Sequence, residues 1–111
     1  MGNNIIGKTK SINGVSIRLT FERWYHISES HRELVGSVFQ ILETINQPDI
    51  VVRGLVEELL ALRRVNKKYL VSVYREINKK DGFVITAFYT TDLKSLLKKR
   101  KIIWKRSSIN K

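Results

Sequence analysis

The sequence contains no cysteine in its 111 residues. That excludes disulfides, a thiolate nucleophile and any cysteine-ligated zinc site. Histidine is nearly as scarce: His26 and His31, five positions apart, are the only two. No carboxylate near them falls at ligand spacing, so metal-independent chemistry without a cofactor is expected. Proline occurs once, at Pro48. No apolar run approaches the ~20 residues a membrane-spanning helix needs. The N-terminus lacks a basic segment followed by a long apolar one, so no signal peptide is expected. Gly2 follows Met1, but position six is Ile, which leaves the myristoylation pattern incomplete. The chain has no Walker loop, no G-x-G-x-x-G and no Ser-His-Asp spacing.

Acid is the other scarcity. Ten Asp and Glu stand against 21 Lys and Arg, a net charge of +11. Residues 93–111 carry eight of the cations and no acid; residues 1–92 carry thirteen cations against ten acids. The excess therefore sits in a basic C-terminal segment of one domain spanning residues 1–111. Such a segment favours a polyanion, first of all a nucleic acid. An acidic protein partner and a merely solvated tail are the alternatives. Hydrophobic content of 42% and charged content of 28% belong to a folded cytoplasmic domain with a modest core.

Asn13-Gly14 between Ile5–Ile12 and Val15–Leu19 predicts a β-hairpin with a type I′ turn, unless residues 1–10 form a loose arm. Thr20 is placed to cap a helix from Phe21, with Phe21, Trp24, Tyr25 and Ile27 at helical spacing for the core. Ser30-His31-Arg32-Glu33 reads as a capping box opening a second helix, whose apolar stripe runs to about Ile45 before Pro48. Asp49–Val52 is a short β-like run. Leu55–Val65 is either helix or, in its second half from Leu59, strand. Tyr69–Ile77 and Phe83–Thr90 are rich in β-branched and aromatic residues and flank a five-residue loop ending in Asp81-Gly82. Strict alternation puts Phe83, Ile85, Ala87 and Tyr89 on one face and Val84, Thr86, Phe88 and Thr90 on the other. Asp92 caps a short helix or turn to about Lys99, and Ile102–Trp104 fits an edge strand. The expected architecture is α+β: N-terminal helices packed on one face of a mainly antiparallel sheet of about four strands.

The residues able to do chemistry are the two histidines as proton carriers, with Arg53, Arg63, Arg64 and Arg75 as phosphate clamps. Tyr69, Thr86, Tyr89 and Thr90 supply hydroxyls. Lys68, Lys98, Lys99 and Arg100 extend the basic surface. Each has a plain structural role as its alternative: a half-buried or surface histidine, a solvated strand end, a good strand-forming threonine. Together they form an inventory for cleaving RNA through its own 2′-hydroxyl, needing a base, an acid and cationic donors for the phosphorane. His26 is expected as one half of the acid/base pair, with His31 or a hydroxyl as the other. Arg75, Thr86 and Tyr89 complete the expected catalytic set.

Six pieces also carry a resemblance. They are L-T-x-E-R-W-x-H-I at Leu19–Ile27, H-x-E-L at His31–Leu34, P-D-I-V at Pro48–Val51, K-Y-L-V-S-V at Lys68–Val73, F-V-I-T-A at Phe83–Ala87 and T-D-L-K…I-I-W-K at Thr91–Lys105. In order and spacing the chain resembles the phage-associated branch of the barnase/EndoU/colicin/RelE-like (BECR-fold) nucleases. The resemblance implies helices followed by a four-stranded antiparallel sheet, metal-independent RNase activity and, often, a toxin held by an antitoxin. By motif position it carries over to His26, His31 and Thr86. Arg32 replaces the family's proline, and the late T-A-Y reads T-A-F with Tyr89 two residues beyond Ala87.

Overall fold

A computed structural model describes residues 4–107. The N-terminal arm is ordered strand from its fifth residue: β1 (Ile5–Lys10) pairs antiparallel with β2 (Ser16–Thr20). The turn differs from the expected type I′. Gly14 has φ +76°, and Asn13 is not among the residues of positive φ. Gly14 N donates to Ser11 O, and Ser11 N to Val15 O, each at 2.9 Å. This is an ordinary turn closed by one left-handed glycine, which needs only a single residue of positive φ.

Thr20 does cap α1 (Phe21–Ser30), its hydroxyl accepting from Arg23 N. The expected apolar stripe is thinner than the spacing suggested. Ile27 alone is buried and Trp24 half-buried, while Phe21 and Tyr25 are exposed and stack on each other with ring centroids 6.4 Å apart. The capping box does not form. Ser30 is still helical, whereas a cap needs extended backbone, and His31 leaves the helix at φ −134° while its N–H donates to Ile27 O. A single 3-10 turn, Arg32–Leu34, plugs the buried Leu34 into the core before Gly36, at φ +84°, redirects the chain. The second helix, α2 (Val38–Asn46), begins eight residues after the expected cap.

The remaining strands are β3 (Ile50–Arg53), β4 (Leu59–Val65), β5 (Lys68–Glu76) and β6 (Gly82–Thr90), followed by α3 (Leu93–Leu97) and β7 (Ile102–Lys105). The open alternative at Leu55–Val65 resolves as strand from Leu59. Asp92 caps α3 by accepting from Ser95 N. The seven strands among the described residues form one sheet in the order β1-β2-β6-β5-β4-β3-β7. The expected architecture is thereby corrected: a seven-stranded mixed sheet with three short helices replaces N-terminal helices on about four strands. Two features enlarge it. A short parallel joint, Ile17↔Gly82 and Arg18↔Phe83, fastens the N-terminal hairpin to β6. Ile102–Lys105 extends the other side by pairing with β3. Lysines stand on both edge strands, Lys8 and Lys10 on β1 and Lys105 on β7, where charge discourages edge-to-edge association.

Helices cover both faces rather than one. On the first face Ile27, Leu34, Ile41, Leu42 and Ile45 meet Ile17, Leu19, Val51, Ala61, Leu70, Tyr74 and Ala87. Buried Ser72 is satisfied there by donating to Ile41 O at 2.8 Å. On the second face Ile50, Val52, Leu60, Leu62, Val71 and Val73 lie under Leu93, Leu96 and Leu97 of α3. Among the described residues no helix is long and apolar enough to cross a membrane.

Candidate nucleic-acid interface

The second face is only partly roofed. Its β6 side shows Phe83, Ile85, Thr86, Phe88 and Thr90, all half-buried. Strict alternation would have split this set. The β5–β6 register slips between Val73 and Tyr74: Val73 opposes Thr86, and Tyr74 opposes Val84. Ile85 is the extra residue of a bulge, which brings Phe83 onto the same face as Thr86 and Phe88 and sends Val84, Ala87 and Tyr89 to the other. Thr86 and Tyr89 stand on opposite faces, as strict alternation already has them, so the two do not act together on one phosphate. Tyr89 lies opposite Leu70 on the first face, with the Lys68 ammonium 4.1 Å from its ring centroid.

Arginines flank Phe83 from both neighbouring strands, since Arg75 of β5 and Arg18 of β2 are its register partners. The Arg18 guanidinium stands 6.0 Å from the Phe83 ring centroid. Each arginine is oriented by a carboxylate, Arg18 by Asp81 and Arg75 by Glu57. These pairs are solvent-accessible, so phosphate can compete for the guanidinium at small cost.

The two histidines part company. His31 sits 6.1 Å from the Phe88 ring, with Nδ1 3.9 Å from a Glu33 oxygen. It is therefore beside the strand segment that carries Thr86. His26 precedes the buried Ile27 by one position on α1 and turns outward, exposed and edge-on to Tyr25 at 6.0 Å. A hydrogen bond with Glu29 and the charge of its carboxylate push the Tyr25 phenol above its ordinary value.

The other expected phosphate ligands separate into two ends of the sheet. Arg63, Arg64, Lys68 and Tyr69 cluster where β4 turns into β5. Arg63 is committed to Gln47 O at 2.9 Å, and Arg64 Nε donates to Asn66 O at 3.0 Å. At the opposite end Arg53 N donates to Lys101 O at 2.9 Å, placing Lys101, the last of the run Lys98, Lys99, Arg100 and Lys101, beside the start of the β3–β4 loop. Arg100 is the least available of these, donating through Nη1 to Leu96 O at 2.6 Å.

Sequence reasoning missed Arg18, Phe83 and Phe88 as surface groups of one face. Arg18 was legible as an outward residue of its strand, but only the parallel joint reveals its partner. It also missed the β3–β4 loop. There Gly54 leaves the space that the Glu58 side chain occupies: a Cβ would come within 2.3 Å of its carboxyl carbon. The carboxylate then accepts from the N–H groups of Leu55, Val56 and Glu57 at 3.3, 3.2 and 3.1 Å. Its pKa is held below the ordinary 4.5, first by Glu58's own backbone N–H and then by those of Val56, Leu55 and Glu57, against a desolvation effect that raises it. A depressed folded value means the contribution to loop order is present above the unfolded pKa and is lost as pH falls through the folded one. In an NMR titration the amides of Leu55, Val56 and Glu57 should therefore shift together, with a common midpoint below pH 4.5. Independent midpoints would refute the shared carboxylate.

Comparison with family models, with curated proteins and with solved structures gave no match for this chain.

Proposed function

We propose that this protein is a metal-independent endoribonuclease that receives RNA on the β5–β6 face and cleaves it by attack of the 2′-oxygen. The observation that carries the reading is the juxtaposition of His31 with Phe88 on the strand whose same face presents Thr86, Phe83 and the Arg18/Arg75 pair. Phe83 and Phe88 offer stacking surfaces for bases, which is how single-stranded RNA is commonly held. They are separated by roughly 15 Å of strand, so Arg18 and Arg75 suit a phosphate neighbouring the one that reacts.

In the proposed reaction His31, as neutral imidazole, takes the proton from the 2′-hydroxyl. The 2′-oxygen bonds to phosphorus and the P–O5′ bond breaks. The imidazolium returns its proton to the 5′-oxygen, leaving a 2′,3′-cyclic phosphate and a 5′-hydroxyl. Thr86 positions the reacting phosphate. This assigns the main role to His31 and leaves His26, the other sequence candidate, outside the reacting groups. The motif resemblance set out above supports the same chemistry and adds a cytoplasmic toxin restrained by an acidic antitoxin. The two basic ends of the sheet suit such a partner.

Purified protein incubated with mixed cellular RNA in EDTA should yield fragments ending in 2′,3′-cyclic phosphate. Intact RNA under these conditions would sink the proposal. One observation favours a second reading, an RNA-binding module without chemistry: a single histidine, not two, reaches the face. Bound but uncut RNA, with binding that weakens steeply in salt, would select it.

A further inference from the structure

The most exposed large apolar residues among those described are Val56 and Leu55, at 81% and 71%. They are adjacent and form the tip of the β3–β4 loop. A loop that merely connects two strands has no need of two aliphatic side chains in water. This one also holds them rigidly. Gly54 N donates to Glu58 O at 2.7 Å, the Glu58 carboxylate gathers three successive backbone N–H groups, and Glu57 is tied to Arg75. The tip is therefore preorganised, with its ordering entropy spent on folding rather than on binding.

Its surroundings are basic. Arg53 leads into the loop, Arg75 pairs with its flank, and the Arg53–Lys101 backbone bond brings Lys101 alongside, with Lys98 and Lys99 just before it in the chain. Glu58 is turned inward onto the loop's own amides, and Glu57 is neutralised by Arg75. A rigid aliphatic point within a collar of cations is the arrangement by which proteins part a stacked base step while holding the phosphates on either side. We propose that the Leu55–Val56 tip is a wedge for helical RNA, entering between stacked base pairs while Arg53, Lys98, Lys99 and Lys101 hold the flanking backbone. This rests on the nucleic-acid reading of the β5–β6 face and narrows it: the preferred substrate is a structured RNA, opened at one end of the sheet and presented to His31 further along it.

An anionic membrane is the rival surface for an apolar tip in a basic collar. Two aliphatic side chains match a single base step, whereas stable membrane attachment takes many more buried methylenes or a second anchor. The wedge is the better fit in size.

The test uses the full chain and a 2′-O-methylated RNA stem-loop, which cannot undergo 2′-oxygen attack, carrying 2-aminopurine in its stem. Wild-type protein should raise the 2-aminopurine fluorescence as it binds. The double variant Leu55→Ser/Val56→Ser removes only solvent-exposed groups and should keep its unfolding midpoint. It should bind the stem-loop about 10-fold more weakly with little fluorescence rise, yet keep the wild-type salt dependence, because the phosphate contacts remain. Equal unstacking by the double variant overturns the wedge while leaving RNA binding intact. Failure of wild-type protein to bind any RNA overturns both readings together. A parallel arm uses vesicles of phosphatidylcholine and phosphatidylserine. Co-sedimentation of wild-type protein that the double variant loses, without unstacking of RNA, assigns the tip to a lipid surface and overturns the proposal.

Discussion

His31→Ala is expected to lower the rate of RNA cleavage by about 10²–10⁴-fold, the usual worth of a positioned acid/base side chain, and to leave folding nearly untouched. The structural part of the expectation follows from what the His31 side chain does and does not hold. Its backbone closes α1 through His31 N to Ile27 O, a bond that alanine keeps. The 3-10 turn that follows has no side-chain cap from His31 to lose. The imidazole is one-third exposed and touches the Glu33 carboxylate only at 3.9 Å, an interaction of small net value at a surface. The catalytic part follows from location. Of the two imidazoles, the His31 ring alone lies against a β6 side chain, Phe88, on the face that carries Thr86. His26→Ala makes the control: an exposed ring beside Tyr25 on α1, whose loss should change cleavage less than about threefold, since a general base must lie within reach of the reacting hydroxyl. His31→Gln should be as inactive as His31→Ala, because it keeps a polar group but cannot carry the proton. Single-turnover assays on a defined RNA, with circular dichroism melts of each variant, decide the matter. An inactive His26→Ala beside an active His31→Ala would transfer the role to His26 and require the RNA to lie across α1 rather than along β6.

The contrast between the two histidines shows where local sequence signals run out. Both lie in motifs that read alike, an aromatic-flanked helix and an apparent capping box, and the sequence favoured His26. Choosing between them needs the chain to leave helical geometry at His31, whereas Ser30-x-x-Glu33 reads as opening a second helix there. The helix ends where His31 takes non-helical backbone, and the 3-10 turn that follows carries Leu34 into the core, a tertiary preference that outweighs a cap. Signals that depend on a few neighbouring residues did carry over: Thr20 and Asp92 as caps, Leu59–Val65 as strand, and Ile102–Trp104 at an edge. The bulge at Ile85 is of another kind. Nothing in F-V-I-T-A-F distinguishes a continuous strand from one that slips a residue, yet the slip decides whether Phe83 stands with Thr86 or against it. The reach of the sheet was equally hidden, because the N-terminal hairpin joins it through two register positions contributed by residues more than sixty apart in sequence.

That joint yields the largest expected effect on stability. Gly82→Ala should destabilise the protein by about 2–3 kcal/mol, the upper range for overpacking a tight site. A Cβ at position 82 would stand 2.3 Å from the Arg75 carbonyl oxygen, 2.6 Å from Ile17 Cδ1 and 3.2 Å from Glu76 Cα. The Ile17 methyl could swing aside, though that residue is itself fully buried. The carbonyl and the α-carbon cannot move without shifting β5, whose Glu76 is the register partner of Gly82. Glu76 is in turn fixed by accepting from Ser11 Oγ at 2.6 Å and from Asn13 Nδ2, so a displaced β5 end would disturb the β1–β2 turn as well. Glycine here is a matter of room, since position 82 is not among the glycines of positive φ. Destabilisation of this size corresponds to a fall in Tm of about 10–20 °C for a chain of this length. Urea unfolding separates two ways of losing it. A lower midpoint with an unchanged m value means the whole sheet unfolds together and is merely weaker. A lower m value, or an early transition reported by Trp24 fluorescence in a Trp104→Phe background, means the hairpin and α1 detach first, as a joint of only two register positions invites. A tolerated Gly82→Ala, within about 0.5 kcal/mol of wild type, would contradict the close approach of β6 to the Arg75 carbonyl of β5. Arg75 would then no longer be held opposite Phe83, and the face proposed to receive RNA would lose one of its two arginines.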